Sequence, residues 1–187
     1  MDDEGVTPKL ILINGIPASG KSTLARAWCE RHAARLPLAL DIDALRAMLG
    51  GWRGALHEAG LAARELAIAA IDAHLRSGRD VVVPQYLRRP EFVERLEATA
   101  HARGARFVET ALIVGPAEAE ARFRARAAAL GLHDPHGDQH AEMATIAQDF
   151  EAFLARRGGV VRLPGGDGAL PALEAAVDSP AWPGAIA

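Results

Sequence analysis

Lysine is almost missing from this chain: Lys9 and Lys21 are the only two among 21 basic residues, the rest being arginine. Cysteine is nearly absent too. The single Cys29 cannot form an internal disulfide, which suits a reducing cytoplasm, and its place in an apolar helical stretch reads as a small buried residue rather than a nucleophile. There is no basic excess: the net charge is −3, which argues against a nucleic-acid coat, and no basic stripe marks a polynucleotide track. No apolar run approaches membrane-spanning length, and Met1-Asp2-Asp3-Glu4 is acidic where a signal peptide is basic. A cytoplasmic protein without membrane contact is therefore expected. No internal repeat and no linker interrupts the chain, so one domain is expected over residues 1–177, with 178–187 as a tail in which Pro180 and Pro183 flank Trp182.

One of the two lysines sits in the most informative stretch, Gly15-Ile16-Pro17-Ala18-Ser19-Gly20-Lys21-Ser22. An apolar run, Leu10 to Ile13, leads into it, and Thr23 to His32 follows with Leu24, Ala27 and Trp28 at helical spacing. Strand, glycine-rich loop and helix in that order let successive backbone N–H groups converge on an anion, and the helix N-terminus adds its positive dipole end. Lys21 is placed to reach the β- and γ-phosphates of a nucleoside triphosphate, and Ser22 to ligate Mg²⁺ through its hydroxyl. A compact ammonium is wanted there, and an arginine-using chain keeps a lysine for it.

Beyond the loop, short β-like runs alternate with longer alanine-rich helical ones. Strands are expected at Leu36 to Ile42, at Val81 to Val83 stopped by Pro84, at Phe107 to Val114 and at Gly159 to Leu163. Helices are expected from Ala44 to Ser77 with a Gly50-Gly51 break, where Leu56, Leu66, Ile68, Ile71 and Leu75 supply the apolar positions. Further helices are expected at Pro90 to Arg103, Ala117 to Leu130, Ala141 to Arg157 and Leu170 to Val177. This alternation predicts an α/β fold in three layers, a five-stranded parallel sheet with helices on both faces, and ligands at the C-terminal ends of the strands.

The second strand ends in Asp41-Ile42-Asp43. Residues two apart on a strand share a side, so both carboxylates are expected to face the crevice, one beside hydrated Mg²⁺ and the other accepting a proton from an attacking hydroxyl. N-capping of the next helix by either is the simpler alternative. Arg46, one helical turn beyond, is a candidate for a polar or anionic part of the acceptor. Gln85, Arg88 and Arg89, with Trp52 and Tyr86, are further candidates on that side. Arg122 and Arg126 share a helix face, whereas Arg124 points elsewhere. The run His133 to His140 holds three histidines and two aspartates, but its spacing fits no closed zinc site, and a mobile solvated loop is expected.

The loop Gly15 to Ser22 with Thr23, the Asp43-Ala44-Leu45-Arg46 element and the arginine-bearing helix resemble the P-loop small-molecule kinases. That group includes chloramphenicol phosphotransferase, the zeta-toxin kinases, shikimate and gluconate kinases and the kinase half of polynucleotide kinase. The resemblance implies a P-loop NTPase fold with a small helical lid over about residues 117–140, and ATP and Mg²⁺ as cofactors. It implies that Gly15, Pro17, Ala18, Ser19, Gly20, Lys21, Ser22 and Thr23 hold the nucleotide. Asp43 would be the base, Asp41 a metal-side partner of Ser22, and Arg122 and Arg126 lid arginines acting with Lys21 on the transferring group. Arg162 and the Pro164-Gly165-Gly166 turn would border the adenine. The implied activity is transfer of a phosphoryl group to a hydroxyl of a small molecule; a polynucleotide 5′-kinase and a non-catalytic nucleotide switch are the alternatives. One departure stands out: Pro84 ends the third strand where a Walker B motif carries an acid, which argues against a motor ATPase.

Overall fold

The computed structural model describes residues 7–129 and 140–179. Five strands, β1 (Lys9–Asn14), β2 (Leu38–Ala39), β3 (Val81–Gln85), β4 (Arg106–Ile113) and β5 (Val161–Pro164), form one parallel sheet in the order β2-β3-β1-β4-β5. The central strands are continuous apolar runs, fully buried in Leu10 to Ile13 and in Val81 to Val83, as strands covered on both faces must be. Among the described residues seven helices accompany them: α1 (Lys21–Arg31), α2 (Ile42–Met48), α3 (Leu56–Arg76), α4 (Pro90–Ala102), α5 (Pro116–Ala129), α6 (His140–Ala155) and α7 (Ala169–Asp178). Helices α1 and α7 pack together on one face of the sheet, α3 and α4 on the other, and α5 pairs with α6. This is the three-layer α/β architecture that the alternating pattern predicts.

Several local expectations give way. The buried face of α3 is Ala59, Ala63, Ala67, Ile71 and Leu75, a four-residue repeat of mostly small side chains, while Leu56 and Leu66 are exposed. Strand β2 is only two residues long, because Leu36 closes a 3-10 turn in the left-handed conformation (φ +49°) and the chain leaves the sheet after Ala39. Pro84 does not stop β3; it lies inside it, opposite Ile13. Leu40 N–H donates to the Val82 carbonyl, so Val82 faces β2 and Pro84, two residues on, faces the same side, where β2 has already ended. Its missing N–H falls where the pairing with β2 ends and leaves the pairing with β1 intact. The expected loop of histidines, the distal part of the expected lid and Trp182 lie outside the described residues.

Among the described residues two acids are buried, each with a partner. Asp80, at the entry to β3, accepts from Lys9 N–H at 2.8 Å and pairs with Arg35 at 3.5 Å. Glu109 of β4 takes both arms of Arg157, from just beyond α6, at 2.7–3.0 Å. Burial nevertheless pushes the Glu109 carboxyl above the usual carboxylate range, outweighing Arg157. Among the described residues no helix is long and apolar enough to cross a membrane.

Candidate active site

Strand β1 ends at Asn14, and this fully buried amide clamps the loop that follows. Its Oδ1 accepts from Gly15 N–H at 2.8 Å and Leu87 N–H at 2.9 Å, while Nδ2 donates to the Leu87 carbonyl at 3.0 Å. The chain then turns at Gly15, where a Cβ would lie 2.9 Å from both the Leu112 carbonyl oxygen and Ser19 Oγ, so no larger residue fits. Gly20 (φ +102°) opens α1 without a side-chain cap, and the first turn of that helix carries no acid. Its N-terminal N–H groups and dipole are therefore left for an anion.

Lys21 folds back over this loop. Its Nζ donates to the Ile16 carbonyl at 2.7 Å and lies 3.4 Å from Ser19 Oγ. Burial pulls its pKa from 10.5 down to about 8; Asp43 and Asp41 hold it up, and Arg126 pushes it down. Ser22 Oγ donates to Asp41 Oδ2 at 2.9 Å.

The two aspartates are not a strand pair. Asp41 is the N-cap of α2, its Oδ1 accepting from Asp43 N–H (3.0 Å) and Ala44 N–H (3.3 Å), and Asp43 is in the first turn of that helix. A short carboxylate two or three residues ahead of free N–H groups makes those bonds in preference to extending a strand. Asp41 thus points one oxygen at its helix and the other at Ser22, whereas the Asp43 side chain, 59% exposed, pairs with Arg46 at 3.1 Å. The Arg46 guanidinium lies over the Trp52 ring, 5.3 Å from its centroid, and Arg53 lies against the same ring at 4.7 Å.

The loop, both aspartates and Arg46 open on one cleft of about 1090 Å³, walled by Pro17 to Leu24, Ala27, Asp41, Asp43, Arg46, Pro84, Gln85, Tyr86, Leu112, Arg122 and Arg126, and by Gly166, Asp167, Ala169 and Leu170. Its volume is near the upper end of ordinary ligand sites. Arg122 and Arg126 of α5 both reach it, while Arg124 is held by Glu120 on another face. Arg122 donates to the Ser19 carbonyl at 3.0 Å and pairs with Glu118, so α5 is docked directly on the loop.

Residues 10–151 match the AAA_33 family, described as an AAA domain. The chain belongs to the AAA_33 family. No curated protein matches it. Among solved structures it is similar to a gluconokinase from Sinorhizobium meliloti, at 17% identity and TM-score 0.59, covering 92% of this chain and 93% of that one. It is also similar to the tunicamycin resistance protein of Deinococcus radiodurans, at 20% identity and TM-score 0.55 over 92% and 94% of the two chains. A protein of the PezAT toxin–antitoxin system of Streptococcus pneumoniae aligns at 13% identity and TM-score 0.62, over 91% and 78%. At these identities the likeness is one of fold, that of the P-loop kinases.

In this AAA_33 chain the remaining sequence candidates divide. Gln85 and Tyr86 wall the cleft, and the Tyr86 ring packs edge-on against Phe150, with its hydroxyl pushed up by burial. Arg88 and Arg89 do not wall it: Arg88 pairs with Asp149 at 3.5 Å, and Arg89 is the exposed N-cap of α4. Trp52 acts at one remove, through Arg46. Arg162 is turned away to Glu151, at 2.6 and 2.7 Å, and the turn after β5 meets the cleft through Gly166 and Asp167 instead. Asn14 escaped the sequence reading. Its one signal is a polar residue closing an apolar run immediately before the glycine.

Proposed function

We propose that this protein is an ATP-dependent phosphotransferase that moves the γ-phosphoryl group to a hydroxyl of a small molecule, in the sugar, nucleoside, nucleotide-sugar or antibiotic class, with Mg²⁺ as the metal. The observation that carries the reading is the shared cleft: the anion-binding loop with Lys21 forms one wall, and the Asp43–Arg46 pair forms another. The donor set suits the metal, since the Ser22 hydroxyl and the Asp41 carboxylate are adjacent oxygens of the kind Mg²⁺ takes, one or two carboxylates with water and phosphate completing its shell. The bound ion would supply charge neutralisation on the phosphates.

The chain's own residues supply the rest. The first-turn N–H groups of α1 hold the phosphates. Lys21 exchanges the Ile16 carbonyl for a phosphate oxygen and regains its full charge. Asp43, with one oxygen toward Arg46 and an exposed carboxylate, orients the acceptor hydroxyl and takes its proton. Arg122 and Arg126 approach from α5 toward the charge that develops on the group in flight. Pro84, standing where an acid would activate water, leaves no general base on that strand end, which favours transfer to an alcohol over hydrolysis.

The test is a screen for acceptor-dependent ADP release across hydroxyl-bearing metabolites and antibiotics, classes represented among the neighbours by a gluconokinase and a tunicamycin resistance protein. Asp43→Asn should still bind ATP and lose transfer by about 10²–10⁴-fold. Unchanged turnover in that variant reassigns the base. ATP bound with no acceptor-dependent release by any alcohol overturns the reading in favour of a binding module.

A further inference from the structure

The strand order gives the cleft two lateral ends. Asp41, Asp43, Arg46 and Gln85 come from the β2 and β3 side of the sheet, the phosphate loop follows β1 in the middle, and Gly166, Asp167, Ala169 and Leu170 follow β5 at the opposite edge. Strand β5 is two strand spacings, about 10 Å, from β1. A nucleotide with its phosphates on the loop turns its base toward one of these ends, and the end bearing the Asp43–Arg46 pair belongs to the acceptor. The other end is walled by Thr23 and Ala27 of α1 and by Gly166, Asp167, Ala169 and Leu170. Four of the six offer only backbone or hydrocarbon, a surface for a ring's faces. Of the lining residues drawn from α1 beyond the loop and from the turn after β5, only Thr23 and Asp167 carry a polar group beyond the backbone. Arg122 and Arg126 of α5, which follows β4, also line the cleft on this half of the sheet, with Arg122 bound to the Ser19 carbonyl.

Asp167 has no other employment in the fold. The N-cap of α7 is Gly168, with no side-chain cap bond. Asp167 is exposed, and among the described residues no hydrogen bond or ion pair holds it. An uncommitted carboxylate beside the hydrocarbon of Ala27, Ala169 and Leu170 is costly to cover with a ring unless the ring gives it a donor.

We propose that Asp167 is the residue that reads the nucleobase, selecting a purine that turns an amino group toward it. A carboxylate only accepts. Adenine meets it with its 6-amino group, whereas hypoxanthine, otherwise the same ring, carries a carbonyl at that position and sets lone pairs against lone pairs. The inference rests on the phosphotransferase reading to the extent that a triphosphate occupies the loop, and its test separates the two.

The experiment is equilibrium binding of ATP and ITP, each with Mg²⁺, by calorimetry, to the wild type and to the Asp167→Asn, Asp167→Ala and Lys21→Ala variants, with melting curves to check folding. The wild type should prefer ATP by about tenfold or more, the size of one charge-assisted hydrogen bond. Asp167→Asn, whose amide can either donate or accept, should bring the two nucleotides within about twofold, and Asp167→Ala should lower ATP to the ITP level. Lys21→Ala should abolish both. An ATP-to-ITP ratio near one in the wild type, or one that survives both Asp167 substitutions while Lys21→Ala still abolishes binding, overturns the inference and leaves the phosphotransferase reading standing. No binding of either nucleotide by the wild type overturns both.

Discussion

Ser22 Oγ and Asp41 Oδ2 are 2.9 Å apart, a hydrogen bond that ties the first turn of α1 to the cap of α2. The same carboxylate thus does two jobs, holding a helix start with Oδ1 and facing the proposed metal position with Oδ2.

The two jobs can be separated. Asp41→Asn keeps an oxygen for the α2 N–H groups but removes the charge, so the melting temperature should change little while Mg²⁺-dependent tightening of ATP binding weakens by tenfold or so. Asp41→Ala should lose the cap as well, at about 1 kcal/mol of stability. Melting curves and Mg²⁺ titrations of ATP affinity read the two effects; equal loss of stability in both variants would tie the charge to the fold.

Lys21 makes nucleotide binding a proton-coupled event. With its pKa near 8 in the free protein, the side chain is mostly neutral at pH 9, and phosphates restore the charge. Binding at pH 9 should therefore take up about one proton, seen as a difference in calorimetric enthalpy between buffers of different ionisation heat. Affinity should fall as pH rises beyond about 8. For the free protein the sign is opposite. The unfolded chain keeps this proton up to about 10.5, so this group's share of stability rises with pH between about 8 and 10.5. Lys21→Arg should abolish the uptake.

Asn14→Leu should cost roughly 3 kcal/mol, because Leu87 N–H and carbonyl lose their partners in the interior. Nucleotide affinity should drop with it, since Gly15 N–H is released at the mouth of the loop. Chemical denaturation and ATP titration of the same preparation check both. Stability lost with affinity intact would limit Asn14 to a structural role.

Arg157→Ala should be among the most damaging substitutions outside the cleft, at about 3–5 kcal/mol, because it strands the Glu109 carboxylate in the core. The pH dependence has a definite direction. The folded-state pKa of Glu109 is already raised, so its contribution is complete below the unfolded value and is lost as pH rises through the folded one. Without Arg157 that loss should deepen, and denaturation midpoints of the variant should fall more steeply than those of the wild type on going from acid to neutral pH.

The phosphate loop was legible because glycine, lysine and serine at fixed offsets after a buried run answer a local geometric demand. The layered sheet was legible because buried parallel strands announce themselves as apolar runs. What failed were features decided by distant parts of the chain. The apolar look of Leu36 to Ile42 favours a strand pair for Asp41 and Asp43 over the N-cap that their position equally allows, and the cap is what Asp41 forms; Pro84 lies where pairing toward β2 ends while pairing toward β1 goes on. Asn14 meets Leu87, and Glu109 meets Arg157, across 73 and 48 residues, and nothing local signals either pairing. The α3 face was misassigned because leucines outrank alanines as apolar residues, whereas closeness to the sheet selects the smaller side chains.

Three residues of the cleft wall, Asp41, Asp43 and Arg46, come from one excursion of the chain, which leaves the sheet after β2, runs on to the Trp52–Gly54 turn and rests on α3. A contiguous cassette of this kind can be exchanged between homologues by two junctions in a single gene segment. On the proposed phosphotransferase reading, chimaeras made that way would carry the donor's Asp43–Arg46 pair beside the recipient's Lys21 loop.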